Sequence, residues 1–145
     1  MEIFLKKTTK DQCEYKIIRS DKSTELISLD MKTYFVHDIT HFVVEKNLGY
    51  SKGFWGMLSN GYAFNELFGK ENPLTAELRF IEKVVGPVQS VFLGYIPTQH
   101  FPMYLSHLNF DFKEGLLETC IAEIKSILEE WEQLKFGQML SLEWH

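Results

Sequence analysis

The sequence contains little cysteine and no long apolar run. Cys13 and Cys120 are the only two cysteines, they stand far apart, and neither belongs to a Cys-x-x-Cys pair. A disulfide framework and a cysteine metal knuckle are therefore not expected, and a reducing, cytoplasmic compartment is the predicted location. No stretch approaches the roughly 18 apolar residues of a membrane-spanning helix, and the N-terminal segment lacks the apolar core of a signal peptide.

Positive charge is scarce as well, with 15 Lys and Arg residues against 20 Asp and Glu residues and a formal net charge of -5. Nucleic acids and anionic membrane surfaces bind basic patches, so neither is an expected partner. The sequence also contains no phosphate-binding glycine loop and no nucleophile elbow. The predicted partners are small-molecule or peptide ligands.

What the chain has in quantity is apolar side chains, with 45% hydrophobic and 14% aromatic residues over 145 positions. That length predicts a single domain, residues 1–145, with a sizeable core. Alternating or apolar segments predict four strands, at residues 1–7, 13–20, 24–29 and 139–144. Short connections favour an antiparallel meander for the first three, and the last needs a backbone partner in the same sheet. The predicted fold class is α+β, a small antiparallel sheet with packed helices.

Helical signals fill the middle of the chain. Ser51 is a suitable N-cap for a short helix over residues 53–58, and another helical turn or two is expected before residue 69. Asn72 followed by Pro73 predicts the start of a longer helix, which Gly86-Pro87 is expected to stop. Residues 88–93 fit either a strand or a buried helix, because periodicity does not separate the two.

The last helix is predicted over residues 112–135, where Asp111 and Glu114 have the spacing of a capping box. Its apolar residues recur at helical spacing and predict one buried face. The members of that stripe are Leu117, Cys120, Ile121, Ile124, Ile127, Leu128, Trp131 and Leu134.

The segment that carries the chemistry is a predicted helix over residues 34–49, which Gly49 ends. At about 100° per residue, His37 and His41 lie on one face, one turn apart. Apolar residues occur on that face and on the opposite one, so the helix is expected to lie within the core, with Thr40 among the few positions suited to water. Buried imidazoles and carboxylates need partners, and a metal ion supplies them.

His37 and His41 are the predicted metal ligands, because histidines at i and i+4 can share one ion. A third ligand must come from elsewhere, with His107 the leading candidate and His100 the second. Imidazole and carboxylate ligands favour Zn²⁺, with Fe²⁺ or Ni²⁺ compatible.

Asp38 and Glu45 are the predicted catalytic residues of a metal-dependent hydrolase. The pattern His37-Asp38-x-x-His41 resembles the His-Glu-x-x-His helix of the zincin proteases, with an acid one methylene shorter. Asp38 can act on a metal-bound water or orient an imidazole. Glu45 lies roughly 12 Å along the axis from His37, too far to share its ion, so it is expected to hold His41 or to face a water on the ion.

The alternative is a non-enzymatic ligand-binding or interaction domain. In it, Asp38 or Glu45 accepts a hydrogen bond from a neutral imidazole, and the polar helix is structural. An HD-type phosphohydrolase is excluded, because no histidine precedes His37.

Gly53-Phe54-Trp55-Gly56 has the spacing of a nucleic-acid clamp loop. Its large aromatic residues and the acidic composition do not suit a phosphate backbone. The glycines are expected to permit close backbone packing instead. The neighbouring aromatics are expected either to pack in the core or to wall a ligand pocket; they are Phe54, Trp55, Tyr62, Phe64 and Phe68.

The N-terminal strands, the segment HDITHFVVEKNLGYSKGFWG and the closing LSLEW together resemble a group of uncharacterised bacterial proteins. The shared features are an HDxxHxxxE helix and a C-terminal LxLxW strand. The resemblance implies a bacterial origin and adds no mechanism.

Overall fold

All four predicted strands form in the computed structural model, which describes residues 1–68 and 75–145. They are β1 (Glu2–Lys7), β2 (Gln12–Ile18), β3 (Thr24–Asp30) and β4 (Met139–Glu143). The sheet order is β3-β2-β1-β4, and every neighbouring pair is antiparallel. The closing strand therefore pairs with the N-terminal meander, as predicted.

Alternation places one face of this sheet in the core. Ile3 and Leu5 of β1 are fully buried, whereas Phe4 between them is only half-buried. Across the β1–β4 pair, Ile3 faces Leu142 and Leu5 faces Leu140. Such cross-strand apolar pairs hold the register, because a slip by one residue would turn the apolar set to the solvent.

Six helices occur in the described residues, and with the antiparallel sheet they confirm the α+β fold class. A 3-10 turn, Thr98–His100, leads directly into the fifth helix. The helices are α1 (Met31–Leu48), α2 (Phe54–Ser59), α3 (Phe64–Phe68), α4 (Ala76–Phe92), α5 (Phe101–Leu105) and α6 (Leu116–Gln133). No helix in these two ranges has the length and apolar character to cross a membrane.

Helix α1 lies at the centre of the fold, between α2, α4, α6 and the edge strand β3. Asp30 caps its start by accepting from the Lys32 amide, and Gly49 ends it in the left-handed conformation at φ 64°. Residues 39–45 are all buried, which confirms that apolar residues on both faces place the helix within the core. The expectation that Thr40 faces water is wrong, because Thr40 is fully buried, and its hydroxyl donates to the Val36 carbonyl within the helix.

Helix α4 corrects the prediction that Gly86-Pro87 ends it. Pro87 lacks the amide hydrogen that would bond one turn back, yet the helix continues to Phe92. Val84, Val85 and Val88 on either side are fully buried, so tertiary packing outweighs the local preference to stop. Residues 88–92 are therefore helical.

Two predicted caps are also wrong. Gly53, not Ser51, occupies the N-cap of α2, and Gly115 in the left-handed conformation precedes α6, so Asp111 and Glu114 lie upstream of the helix. The predicted start at Asn72 and Pro73 lies outside the described residues. The described helix begins at Ala76, and the Thr75 hydroxyl accepts from the Leu78 amide.

One buried cation attaches the short helices α2 and α3 to the sheet. The Arg19 guanidinium donates to the carbonyls of Leu58 and Tyr62, at 2.6 and 2.7 Å, and to the Glu25 carboxylate at 2.7 Å. The other Glu25 oxygen accepts from the amide of Phe64, the first residue of α3. The β2–β3 hairpin thus holds the segment that follows α1.

Replacing Ile124 with Ala should lower the free energy of unfolding by about 2–5 kcal/mol, because the side chain is fully buried on α6 and its loss leaves a cavity. The measurement is the urea midpoint at constant m-value. Ile121→Ala is the matched control, and its cost should be smaller because Ile121 is half-buried. Equal midpoints for wild type and Ile124→Ala would contradict the burial of this face.

Candidate metal centre

His37 and His41 point the same way from α1, as their spacing predicts. Their ring centroids are 4.7 Å apart and the ring planes are nearly perpendicular. His41 is buried, whereas His37 is about one-third exposed. The pair therefore has one enclosed member and one member that reaches the surface.

The third group at this position is Glu82 of α4. One ligand atom from each of His37, His41 and Glu82 lies within 4.8 Å of the other two. His107, the expected third ligand, is exposed in the turn after α5, and His100 is exposed in the 3-10 turn. The structure brings neither of these two histidines into the cluster.

Each of the two imidazoles is held by a hydrogen bond at its Nδ1 atom. His37 Nδ1 lies 2.7 Å from Oε1 of Gln89, and His41 Nδ1 lies 2.9 Å from Oε1 of Glu45. These oxygens accept only, so each Nδ1 carries a hydrogen and donates it. The two Nε2 atoms then face Glu82, at 2.8 Å for His41 and 3.6 Å for His37.

Glu45 is fully buried and does more than hold His41. Its carboxylate also accepts from the first three amides of α2, those of Phe54, Trp55 and Gly56, at 2.7, 3.0 and 3.2 Å. It therefore occupies the place of an N-cap side chain, supplied by another helix, where the unpaired amides and the helix dipole favour an anion. Of the two roles expected for Glu45, the holding of His41 is confirmed.

The glycines beside this carboxylate permit the close approach. A Cβ atom on Gly53 would overlap the Glu45 carboxylate, and one on Gly56 would overlap the backbone carbonyl of Ser51. Close packing is thus the reason for the Gly-x-x-Gly spacing, as the sequence predicts.

Asp38 of the same helix is hydrogen-bonded to the sheet and to α2. Its carboxylate accepts from the Tyr15 hydroxyl of β2 at 2.9 Å, and its backbone carbonyl accepts from Trp55 Nε1 at 2.9 Å. Burial raises the pKa of Asp38 to about 6, although the bond from Tyr15 opposes the shift. Burial, with the charge of Asp38, also raises the pKa of Tyr15 well above its usual value.

The charged groups of the cluster shift one another's pKa values. Burial lowers the pKa of His41, but its bonds to Glu45 and Glu82 outweigh that effect and raise it to about 9. The bond to Glu82 likewise raises the pKa of His37 against the effect of burial. Burial raises the pKa of Glu82, and the two histidines more than reverse this, so it lies well below its usual range. Without an ion, the cluster is therefore an ion pair in which His41 lies between two carboxylates.

A cavity of about 220 Å³ opens beside these groups. Its polar wall contains His37, Asp38, His41 and Glu82, and Glu45 is not among the residues that line it. The apolar wall is formed by Tyr34, Phe54, Leu67, Phe68 and Leu78. Of the aromatics expected either to pack in the core or to wall a pocket, Phe54 and Phe68 do line one.

Two residues of the site were not identified from the sequence, Glu82 and Gln89. They lie seven positions apart on α4, so they share a face after two turns. A signal for Glu82 was present, since this acid borders the apolar stripe of Leu78 and Val85. No sequence signal indicated Gln89, because it follows Pro87, where the helix is predicted to stop.

Replacing Gly53 with Ala should lower the free energy of unfolding by about 1–3 kcal/mol, because the new Cβ would displace the Glu45 carboxylate from the α2 amides. The matched control is Gly86→Ala within α4, where a Cβ meets no atom of the described residues within 4 Å. That change should be neutral or stabilising by up to about 1 kcal/mol. Urea midpoints of both variants test the difference, and equal effects would contradict the close approach of Glu45 and Gly53.

Comparison with protein-family models, curated proteins and solved structures found no match to this chain. The resemblance to a group of uncharacterised bacterial proteins stays a prediction, as do the catalytic roles of Asp38 and Glu45.

Proposed function

We propose that this protein binds one divalent transition-metal ion through His37 Nε2, His41 Nε2 and the Glu82 carboxylate. The observation that carries the proposal is that both rings present their Nε2 atom to the Glu82 carboxylate. Each Nδ1 is held by a side-chain oxygen, and each Nε2 faces the same carboxylate. Metal-binding histidines are typically fixed in this way, because the bond at one nitrogen selects the tautomer that presents the other.

Only a small movement of the Glu82 carboxylate away from His41 is needed to admit an ion between them. His41 Nε2 and Glu82 Oε1 are 2.8 Å apart, whereas two ligands of a tetrahedral Zn²⁺ are about 3.3 Å apart at bond lengths near 2.0 Å. Glu82 is 40% exposed, so its side chain has room to adjust. The ion would take the place of the proton that His41 Nε2 now shares with Glu82.

Two imidazoles and one carboxylate favour Zn²⁺, with Fe²⁺ or Ni²⁺ compatible. The described residues offer three ligands, which is also the number in catalytic zinc sites, where a further position is kept for water or substrate. A set of three ligands supports catalysis over a purely structural ion.

The reaction class that we propose at this site is hydrolysis. The supporting observation is that Asp38 lines the same cavity as the three ligands. An ion held by His37, His41 and Glu82 would supply a Lewis acid for the water and the substrate carbonyl. Asp38 would accept the proton of the water as its oxygen bonds to the carbonyl carbon of an ester, and would return that proton to the alcohol oxygen as the ester C–O bond breaks. The bond from Tyr15 to Asp38 orients the carboxylate for that step.

A second candidate is a structural network in a non-enzymatic domain. The observation that favours it is that every buried side-chain nitrogen and oxygen in the described residues already has a hydrogen-bond partner. In this case His41 remains a buried cation between Glu45 and Glu82, and no ion binds.

Elemental analysis of untagged protein separates the two candidates. After zinc loading and dialysis against a weak chelator, the wild type should retain one equivalent of metal. Changing His37 or His41 to Ala, or Glu82 to Gln, should abolish retention, because each removes a ligand. His107→Ala is the matched control and should retain the full equivalent. A metal-free wild type would leave only the structural network, and loss of metal in His107→Ala would mean that the third ligand is misassigned.

Asp38→Asn tests the reaction. This variant should retain the metal, because Asp38 is not a ligand, but it should lose at least about 100-fold in the rate of hydrolysis of small carboxylic esters, as expected for loss of a general base. The measurement is ester hydrolysis by metal-loaded protein, with His107→Ala as the active control. Equal rates for wild type and Asp38→Asn would remove Asp38 from the mechanism.

A further inference from the structure

The cavity beside the candidate metal centre has two unlike walls, and this contrast points to a class of ligand. One wall carries the three metal ligands and Asp38, and the other is apolar. A ligand that fills such a cavity needs a polar head on one side and an apolar body on the other.

The volume of the cavity limits the size of that body. Cavities that bind drug-sized ligands are typically about 300–1,000 Å³, whereas an engineered apolar cavity of about 150 Å³ binds benzene. At about 220 Å³, this cavity is large enough for one six-membered ring or a branched aliphatic group with a small head.

Two residues of the apolar wall, Phe54 and Leu78, are buried. Phe54 is buried, its ring lies 5.1 Å from that of Phe68, and its amide is bound to Glu45. Leu78 of α4 is also buried and lies one helical turn before Glu82. Aromatic rings prefer such tilted or offset neighbours, so a ligand ring is well accommodated here.

The charge of the site limits the polar head that a ligand can have. None of the described residues that line the cavity is Lys or Arg, so within this described lining a phosphate dianion would meet only the ion as a cation. A divalent ion with Glu82 as its one carboxylate ligand has a net charge of one, which a carboxylate bound to the ion neutralises. Asp38 on the same wall is not a ligand, and its carboxylate accepts from Tyr15. A cationic head would instead be repelled by the ion.

We propose that this cavity binds small monocarboxylates with one ring-sized apolar group, the carboxylate on the metal ion and the body against Phe54, Phe68 and Leu78. The inference rests on the proposed metal site and adds the class of ligand to it. A volume of about 220 Å³ is too small for a whole peptide or nucleotide.

The test uses the full chain loaded with Co²⁺, whose visible absorption reports ligands that bind to the ion. Benzoate should change the spectrum and bind at least about tenfold more tightly than acetate, because burial of the ring adds apolar contact. Inorganic phosphate should bind more weakly than benzoate. A protein that binds no Co²⁺ contradicts the metal proposal itself. A Co²⁺ spectrum that benzoate leaves unchanged, or equal affinities for benzoate and acetate, overturns only the ligand inference.

Two variants of Phe68 test where the ring of the ligand binds. Phe68→Ala should weaken benzoate binding at least about fivefold and leave acetate binding unchanged, because only the ring contacts that wall. Phe136→Ala is the matched control, since Phe136 is exposed and does not line the cavity. Phe68→Leu keeps an apolar side chain if the alanine variant fails to fold and should give an intermediate loss. Equal benzoate affinity in wild type and both Phe68 variants would contradict this placement of the ring.

Discussion

The candidate site depends on one buried carboxylate, that of Glu45. It accepts from three amides at the start of α2 and from the imidazole of His41. A buried carboxylate without such partners would cost several kcal/mol, so its position is tied to all of these donors at once. The same bonds that keep the helices α1 and α2 together therefore set the orientation of His41.

The other half of the site depends on the continuity of α4. Glu82 and Gln89 lie on one face of this helix, on opposite sides of Pro87. Glu82 offers the carboxylate that faces both imidazoles, and Gln89 fixes the ring of His37. A helix that ended at Gly86 would leave His37 without its orienting partner, so the burial of the valines around Pro87 has a consequence for the chemistry of the site.

The two candidate functions differ in what occupies the space between His41 and Glu82. In the ion pair it is a proton, and in the metal site it is a divalent ion. The fixed groups behind the two rings, Glu45 and Gln89, suit either occupant. The cavity beside the cluster, with Asp38 in its wall, would give a ligand access to an ion held there. That access supports the proposal of a metal site that is open to a ligand.

Local patterns in the sequence determined the strands, the central position of α1 and the common face of His37 and His41. Each of these follows from a repeat of two or about 3.6 residues combined with burial, and needs no knowledge of distant segments. Tertiary structure decided which groups the side chains of the site bond to. Glu82 reaches His41 from 41 residues away along the chain, and Glu45 caps a helix to which it does not belong. Pro87 remains helical because the core surrounds it. These outcomes depend on which surfaces meet when the chain packs, and that free energy is shared among many contacts and is not encoded in any local spacing.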